Sequence, residues 1–460
     1  MSDYNFLMES RLSPEQFSVI NHLSRIAAEQ GLNLYLVGGA VRDLTYGLQA
    51  VRDLDFAVEG NPQKIIRHLP VEKSGRPARG ETTAGAPSDI QIRQMHADAR
   101  LNSVEMTFSN GVRAEIAMCR TETYLRPDRR PEISPATIFE DLRRRDLSMN
   151  AMAISLHPNS RGLLLDPTNG VADIERHELR ALYRSSFSDD PSRIYRLFRL
   201  GLRLDFKPEE RTQAWLDSAL ANHVTTLMSV EQRGRELRAI LEEENPSRVL
   251  KLLQERGLLT DLDRKLAGSK IPYERLNAIR TKAAGFSAQD VFLINFCCLT
   301  EKLGAGDRVR LAKQIIPDAR IAKLALTLEH DAKRLANTLG SSKAVRPSQI
   351  YTLLSAQPPH LLLFLLTYYP QSRIQARLKS YLVKFPQVRA RLPRAEFFAL
   401  GVKPGPDAEK ILERVFLEQL DGKLKTPAQT TKRLKELAGI KDEPPKAPPA
   451  KPRRSKAKGK

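Results

Sequence analysis

Cysteine and tryptophan are scarce in these 460 residues, with three of the first and one of the second. Cys119, Cys297 and Cys298 form no metal-ligand spacing and no disulfide framework, which excludes a disulfide-stapled secreted scaffold and fits a reducing compartment. Long apolar runs are missing too: none approaches the roughly 20 residues that span a bilayer. The longest, "HLLLFLLTYY" from His360 to Tyr369, reads as a buried helix. The opening "MSDYNFLMES" has no basic segment followed by an apolar one, so neither a secretory signal nor a membrane partner is expected and the expected location is cytoplasmic. Acidic residues are outnumbered, 54 against 74 lysines and arginines, giving a net charge of +20 and a pI near 9.9. That excess suggests an anionic partner, most often nucleic acid; a merely soluble basic protein is the alternative.

A chain of this length is expected to form several domains. "SPEQFSVINHLSRIAAEQG" predicts an early helix with Ser13 as N-cap, Pro14 at the first helical position and Gln16 completing a capping box. Phe17, Ile20, Leu23 and Ala27 share one face, and Gly31 ends the helix. From Leu34 to about Leu156 the pattern mixes strands and helices; from about Asp173 to Ile440 it is almost entirely amphipathic helix. Residues 72–91 are rich in Gly, Pro and Thr and read as a mobile loop. Residues 441–460 are rich in Pro and Lys, with nothing to anchor a core, and read as a disordered basic tail. "EHD" at Glu329–Asp331 lacks the further ligands a metal phosphohydrolase needs, so His330 reads as a helix-surface residue.

The chemistry concentrates early. In "RDLDFAVEG" Leu54, Phe56 and Val58 alternate with Asp53, Asp55 and Ala57. A strand aims both carboxylates at one place, roughly 7 Å apart. Two like charges on one face repel unless a cation sits between them, and Mg²⁺ suits such a pair. A solvated strand face is the alternative. Just upstream, "LYLVGGAVRD" predicts a short buried strand, a tight turn at Gly38 and Gly39, and a helix beginning near Val41. Those glycines let a triphosphate approach the backbone at a helix N-terminus, and Arg42 adds a cation. Asn110-Gly111 predicts a hairpin turn into "VRAEIAMC", where Val112, Ala114, Ile116 and Met118 share a face and Glu115 takes the other. Glu115 is either a third acid for a two-metal nucleotidyl transfer or a surface residue.

"LVGGAVRD…DLDF" resembles the signature of the tRNA nucleotidyltransferase and poly(A) polymerase family of bacterial (class II) type. "AMCRTETY", "EDLRRRDLSMNAMAISL", "LLDPTNGVADIERHELR" and "SFSDDPSRIYRLFRLGLRLDF" resemble its further motifs, in the family's order, and 396–424 matches its tail more weakly. The resemblance implies an α+β protein: a mixed α/β nucleotidyltransferase head over 34–156 behind an N-terminal helix in 1–33. An all-α neck over 157–240, a helical body over 241–345 and an RNA-binding helical tail over 346–440 would follow. It implies Asp53 and Asp55 as ligands of two Mg²⁺ ions, with Glu115 in support. Gly38, Gly39, Arg42, Arg144, Arg145, Asp146 and Asn150 would bind nucleotide, the arginines at the triphosphate and Asp146 at the ribose 2′-hydroxyl. Asp190 and Arg193, expected at i and i+3 just inside a helix, would accept C or A and reject U and G, with Arg196 beside them. Arg199 and Arg203 continue that side toward either RNA phosphates or water.

The implied reaction adds CMP, AMP or both, from CTP and ATP, to the 3′ end of tRNA and releases pyrophosphate. A poly(A) polymerase and a non-catalytic RNA-binding protein are the alternatives, and the intact pair of acids argues against the second. Three departures stand out. Asp189 replaces the family's usual Glu, the strand resembling "FGT" before the hairpin is missing from "HADARLNSVEM", and "LPRAEFF" stands where the tail has Thr-Gly and Asp.

Overall fold

The computed structural model describes residues 4–48, 51–72, 90–126, 131–267, 271–341 and 346–440. The expected basic tail and nearly all of the expected mobile loop lie outside these residues. Two compact units emerge: Met1–Ile271 with Lys302–Pro317, and Pro272–Glu301 with Asp318–Lys460. The division runs through the expected body, because the helix Ala305–Ile315 packs on the helix Val230–Leu241 of the first unit.

The first unit is organised by a seven-stranded mixed sheet. Its strands, in chain order, are β1 (Asn33–Val37), β2 (Leu54–Glu59), β3 (Ile92–Asp98), β4 (Ser103–Phe108) and β5 (Arg113–Met118), then β8 (Ala153–Ser155) and β9 (Leu164–Leu165). Between them in sequence, β6 (Arg120–Thr123) and β7 (Glu132–Pro135) pair separately. The sheet order is β3-β4-β5-β2-β1-β8-β9, and β2 with β5 is its parallel pair. The predicted alternation of β2 holds: Leu54, Phe56 and Val58 are all but fully buried on one face, opposite Leu36 and Leu34 of β1. On the other face Ala57 and Val37 join Cys119, Ala151 and Ala153 beneath Ile138 and Leu142, so the helix Ile138–Arg143 covers the sheet there. Asn110-Gly111 makes the β4–β5 turn, with Gly111 at φ +87°, a left-handed value that glycine adopts without cost.

The predicted capping box of the helix Pro14–Glu29 is present, with a further helix, Tyr4–Arg11, ahead of it. Beyond Gly170 the described chain is helical apart from the short pairs Glu178–Leu179 and Lys207–Pro208. In the second unit the helix Pro359–Tyr368 buries Leu361 to Leu365, as its apolar run predicts, and His330 lies exposed on the helix Ala319–Gly340. Among the described residues no single helix is long and apolar enough to cross a membrane.

Candidate active site

Asp55 sits in β2 directly between Val37 of β1 and Glu115 of β5. The register places the Asp55 and Glu115 carboxylates side by side on the face that Ala57 shares. Burial first, then the neighbouring Glu115 and Asp53 carboxylates, push the Asp55 carboxyl up to about 7, against the pull of Arg145 and Arg42. Burial also raises Glu115, and Glu105, its register partner on β4, adds to the effect while a hydrogen bond from Ser103 opposes it. Negative charge is therefore incompletely balanced here, which suits a cation.

Asp53 lies one residue before β2 rather than inside it. It turns to Arg113, whose Nη2 donates to Oδ2 at 3.2 Å and whose Nε stands 2.8 Å from Oδ1. The second contact is not aligned for a hydrogen bond, so Oδ1 is shielded from solvent without a hydrogen-bond partner. Among the described residues no three His, Cys, Asp or Glu side chains form a ready metal cage. The donor set still fits a hard divalent ion: Asp55 and Glu115 on adjacent strands, and Asp53 just before Asp55 with one orphaned carboxylate oxygen.

The double glycine closes over this point. Gly38 has φ +69°, and a Cβ there would meet Asp55 Oδ2 at 3.3 Å and Arg145 Nη1 at 3.4 Å. Glycine thus satisfies both the left-handed backbone and the close approach. The helix begins at Gly39, two residues earlier than the pattern suggests, because Gly38 itself serves as N-cap. No side chain caps it, so its first N–H groups remain available to an anion. Arg42 is buried, pairs with Asp43 at 2.6 Å, and donates to Asn150 Oδ1 at 2.8 Å.

Arg144 and Arg145 converge on Asp141, an acid that motif reading passed over. Asp141 Oδ1 takes Arg144 Nη2 at 2.6 Å and Oδ2 takes Arg145 Nη2 at 2.8 Å. Burial alone would raise this carboxyl, but the two guanidiniums hold it below its ordinary range. Arg144 also reaches Glu122 of β6 at 2.7 Å. The signal was in the spacing: an acid three and four residues before two arginines at a helix end. Asp146 is buried, accepts from the Leu147 N–H at 2.8 Å and from Asn150 at 3.3 Å, and pairs with Arg196 at 3.0 Å.

Asp190 precedes its helix rather than lying in it. Pro191 is the N-cap and Ser192 the first helical residue, so Asp190 accepts from the Ser192 N–H at 3.1 Å and Oγ at 2.7 Å. Gln232, also unassigned from sequence, donates to the same Oδ1 at 3.1 Å. Arg193 is buried: Nη1 donates to Tyr183 Oη at 2.7 Å and Ser186 Oγ at 2.8 Å, and Nη2 to the Arg144 carbonyl at 3.1 Å. Its Nε stands 3.9 Å from Asp190 Oδ2, neighbouring but beyond hydrogen-bond reach. The free Nε–H and Asp190 Oδ2 thus form a donor and an acceptor side by side. Arg199 and Arg203 are partly buried, and their guanidiniums are committed to an acid. Both pair with buried Glu243, at 3.0 Å from Arg199 Nη1 and 2.9 Å from Arg203 Nε.

Residues 34–180 match the poly A polymerase head domain. The chain is 30% identical over 322 residues to a multifunctional CCA protein of Verminephrobacter eiseniae, covering 66% of this chain and 70% of that protein. It is 32% identical over 247 residues to an A-adding tRNA nucleotidyltransferase of Halalkalibacterium halodurans, 52% of each chain. The chain spans about half the length of the first curated relatives it matches, from 44% to 59%. Among solved structures, a CCA-adding enzyme in its second apo form is 25% identical with a TM-score of 0.50, over 95% of this chain and 99% of that one.

Proposed function

Because the chain belongs to the class II tRNA nucleotidyltransferase family, we propose that it transfers CMP, AMP or both from CTP and ATP to the 3′ end of tRNA without a nucleic-acid template. The observation that carries this reading is the registered Asp55–Glu115 pair beneath the Gly38 turn, with Asp53 beside it. In the transfer, the RNA 3′-oxygen bonds to the α-phosphorus, the bond from that phosphorus to the β-phosphate oxygen breaks, and pyrophosphate leaves with its electron pair. The hydroxyl proton departs to solvent or base. Mg²⁺ held by Asp53 and Asp55 would supply charge neutralisation at the triphosphate and activation of the hydroxyl.

The chain's own groups do the rest. The uncapped helix start at Gly39 offers N–H groups to the phosphates. Arg144 and Arg145, fixed by Asp141, present cations, and Asp146 is placed by Arg196 and Leu147 to accept from a ribose hydroxyl. Asp190 Oδ2 and Arg193 Nε–H read the hydrogen-bonding edge of the base.

The test is incorporation of CTP and of ATP on tRNA ending before C, after C and after CC, by the wild-type protein and Asp53→Ala. Wild-type addition at one or more of these ends, lost in the variant, is expected. Equal activity in the variant with Mg²⁺ would refute the metal assignment. Extension of unrelated RNA as readily as tRNA would favour a poly(A) polymerase, and no addition at all a non-catalytic RNA-binding protein.

A further inference from the structure

The parallel pairing of β2 with β5 sets two acids against two unlike partners. Asp55 faces Glu115 within the paired segment, and two residues earlier Asp53 meets Arg113. The Asp53–Arg113 pair is half-exposed, with side chains 43% and 50% accessible. Its hold is imperfect: one contact is hydrogen-bonded at 3.2 Å, while Oδ1 has only a misaligned guanidinium at 2.8 Å. Arg113 also lines a cleft of about 460 Å³, together with, among others, Arg11, Glu15, Gln16, Arg52 and Asn110.

We infer that Arg113 is a built-in counter-ion that holds Asp53 while the site lacks metal and must be displaced for a divalent ion to bind. This rests on Asp53 and Asp55 being the metal ligands. Arg113 neutralises Asp53 and engages both of its carboxylate oxygens, which a divalent ion would otherwise take. Metal binding exchanges the ion pair for coordination, so Arg113 weakens metal affinity and sets the concentration at which the site fills. It is a positioning residue acting through Asp53.

Direct titration of the full chain with Mn²⁺, the free ion followed by electron paramagnetic resonance, tests this independently of activity. Arg113→Gln should bind Mn²⁺ about two- to fivefold more tightly than wild type, the range of a half-exposed ion pair. Arg113→Lys, which keeps the charge, should stay near wild type. Without metal Arg113→Gln should melt lower than wild type, and Mn²⁺ should raise its melting temperature more. Unchanged or weaker Mn²⁺ binding in Arg113→Gln overturns the counter-ion role. Asp55→Asn should abolish the binding; if it binds as wild type does, the metal assignment fails, and the counter-ion role with it.

Discussion

Asp146 and Arg196 meet at 3.0 Å, and this ion pair joins the Arg144–Asn150 segment to the helix Ser192–Leu204. Two motifs about 50 residues apart become one wall of the candidate site. Burial would raise the Asp146 carboxyl, but Arg196, Arg193 and the Leu147 N–H outweigh it and hold it down at about 2.

A lowered carboxyl pKa contributes stability that is present above the unfolded-state value and lost as pH falls toward the folded one. The window here is about pH 4 down to 2. Asp146→Asn should therefore cost on the order of 2–3 kcal/mol at pH 7. That deficit relative to wild type should shrink at pH 3. Arg196, the direct ion-pair partner, is partly exposed and can rehydrate in the variant. Urea unfolding at the two pH values measures both gaps; a deficit that stays constant would show that Asp146 acts by packing alone.

Arg193→Lys should relax base choice more than it weakens RNA binding. A lysine keeps the charge but cannot hold Tyr183, Ser186 and the Arg144 carbonyl while also presenting a planar N–H. If that N–H reads the base, discrimination should fall by about 1–3 kcal/mol, roughly five- to 150-fold. Competition among all four triphosphates, with tRNA affinity measured in parallel, separates the outcomes. Unchanged selectivity with weaker tRNA binding would make Arg193 a phosphate contact.

Much of this site was legible because its parts are local. Alternation in "RDLDFAVEG" gave the strand and its two faces, and Asn-Gly gave the β4–β5 hairpin that carries Glu115. Errors arose where one residue decides a boundary. Gly38 in a left-handed conformation takes the N-cap and starts the helix early, and Pro191 as N-cap leaves Asp190 outside its helix. What stayed hidden is tertiary. Glu243, which claims Arg199 and Arg203, is some 40 residues from them, and no spacing rule links it to them. Arg113 was passed over because its meaning depends on the β2–β5 register, which only the assembled sheet supplies.

Two glycines in packed helices should respond in opposite directions to alanine. Gly234 lies in the helix Val230–Leu241, and a Cβ there would meet the Gln314 carbonyl oxygen at 2.3 Å. That contact is with backbone of the neighbouring helix Ala305–Ile315, so relief requires moving one helix against the other. Gly234→Ala should destabilise by about 1–3 kcal/mol, the usual cost of overpacking. Gly306 lies in that neighbouring helix with nothing within 4 Å of its would-be Cβ and an ordinary backbone. Gly306→Ala should stabilise by roughly 0.5–1 kcal/mol, because alanine loses less backbone entropy in a helix. Thermal melts of both variants beside wild type give the signs directly. Because Gly234 is on the same helix as Gln232, which donates to Asp190, its alanine variant should also disturb nucleotide choice, whereas Gly306→Ala should leave it intact. A Gly234→Ala protein as stable as wild type would mean that the two helices separate without cost, and their contact would then be too soft to position Asp190.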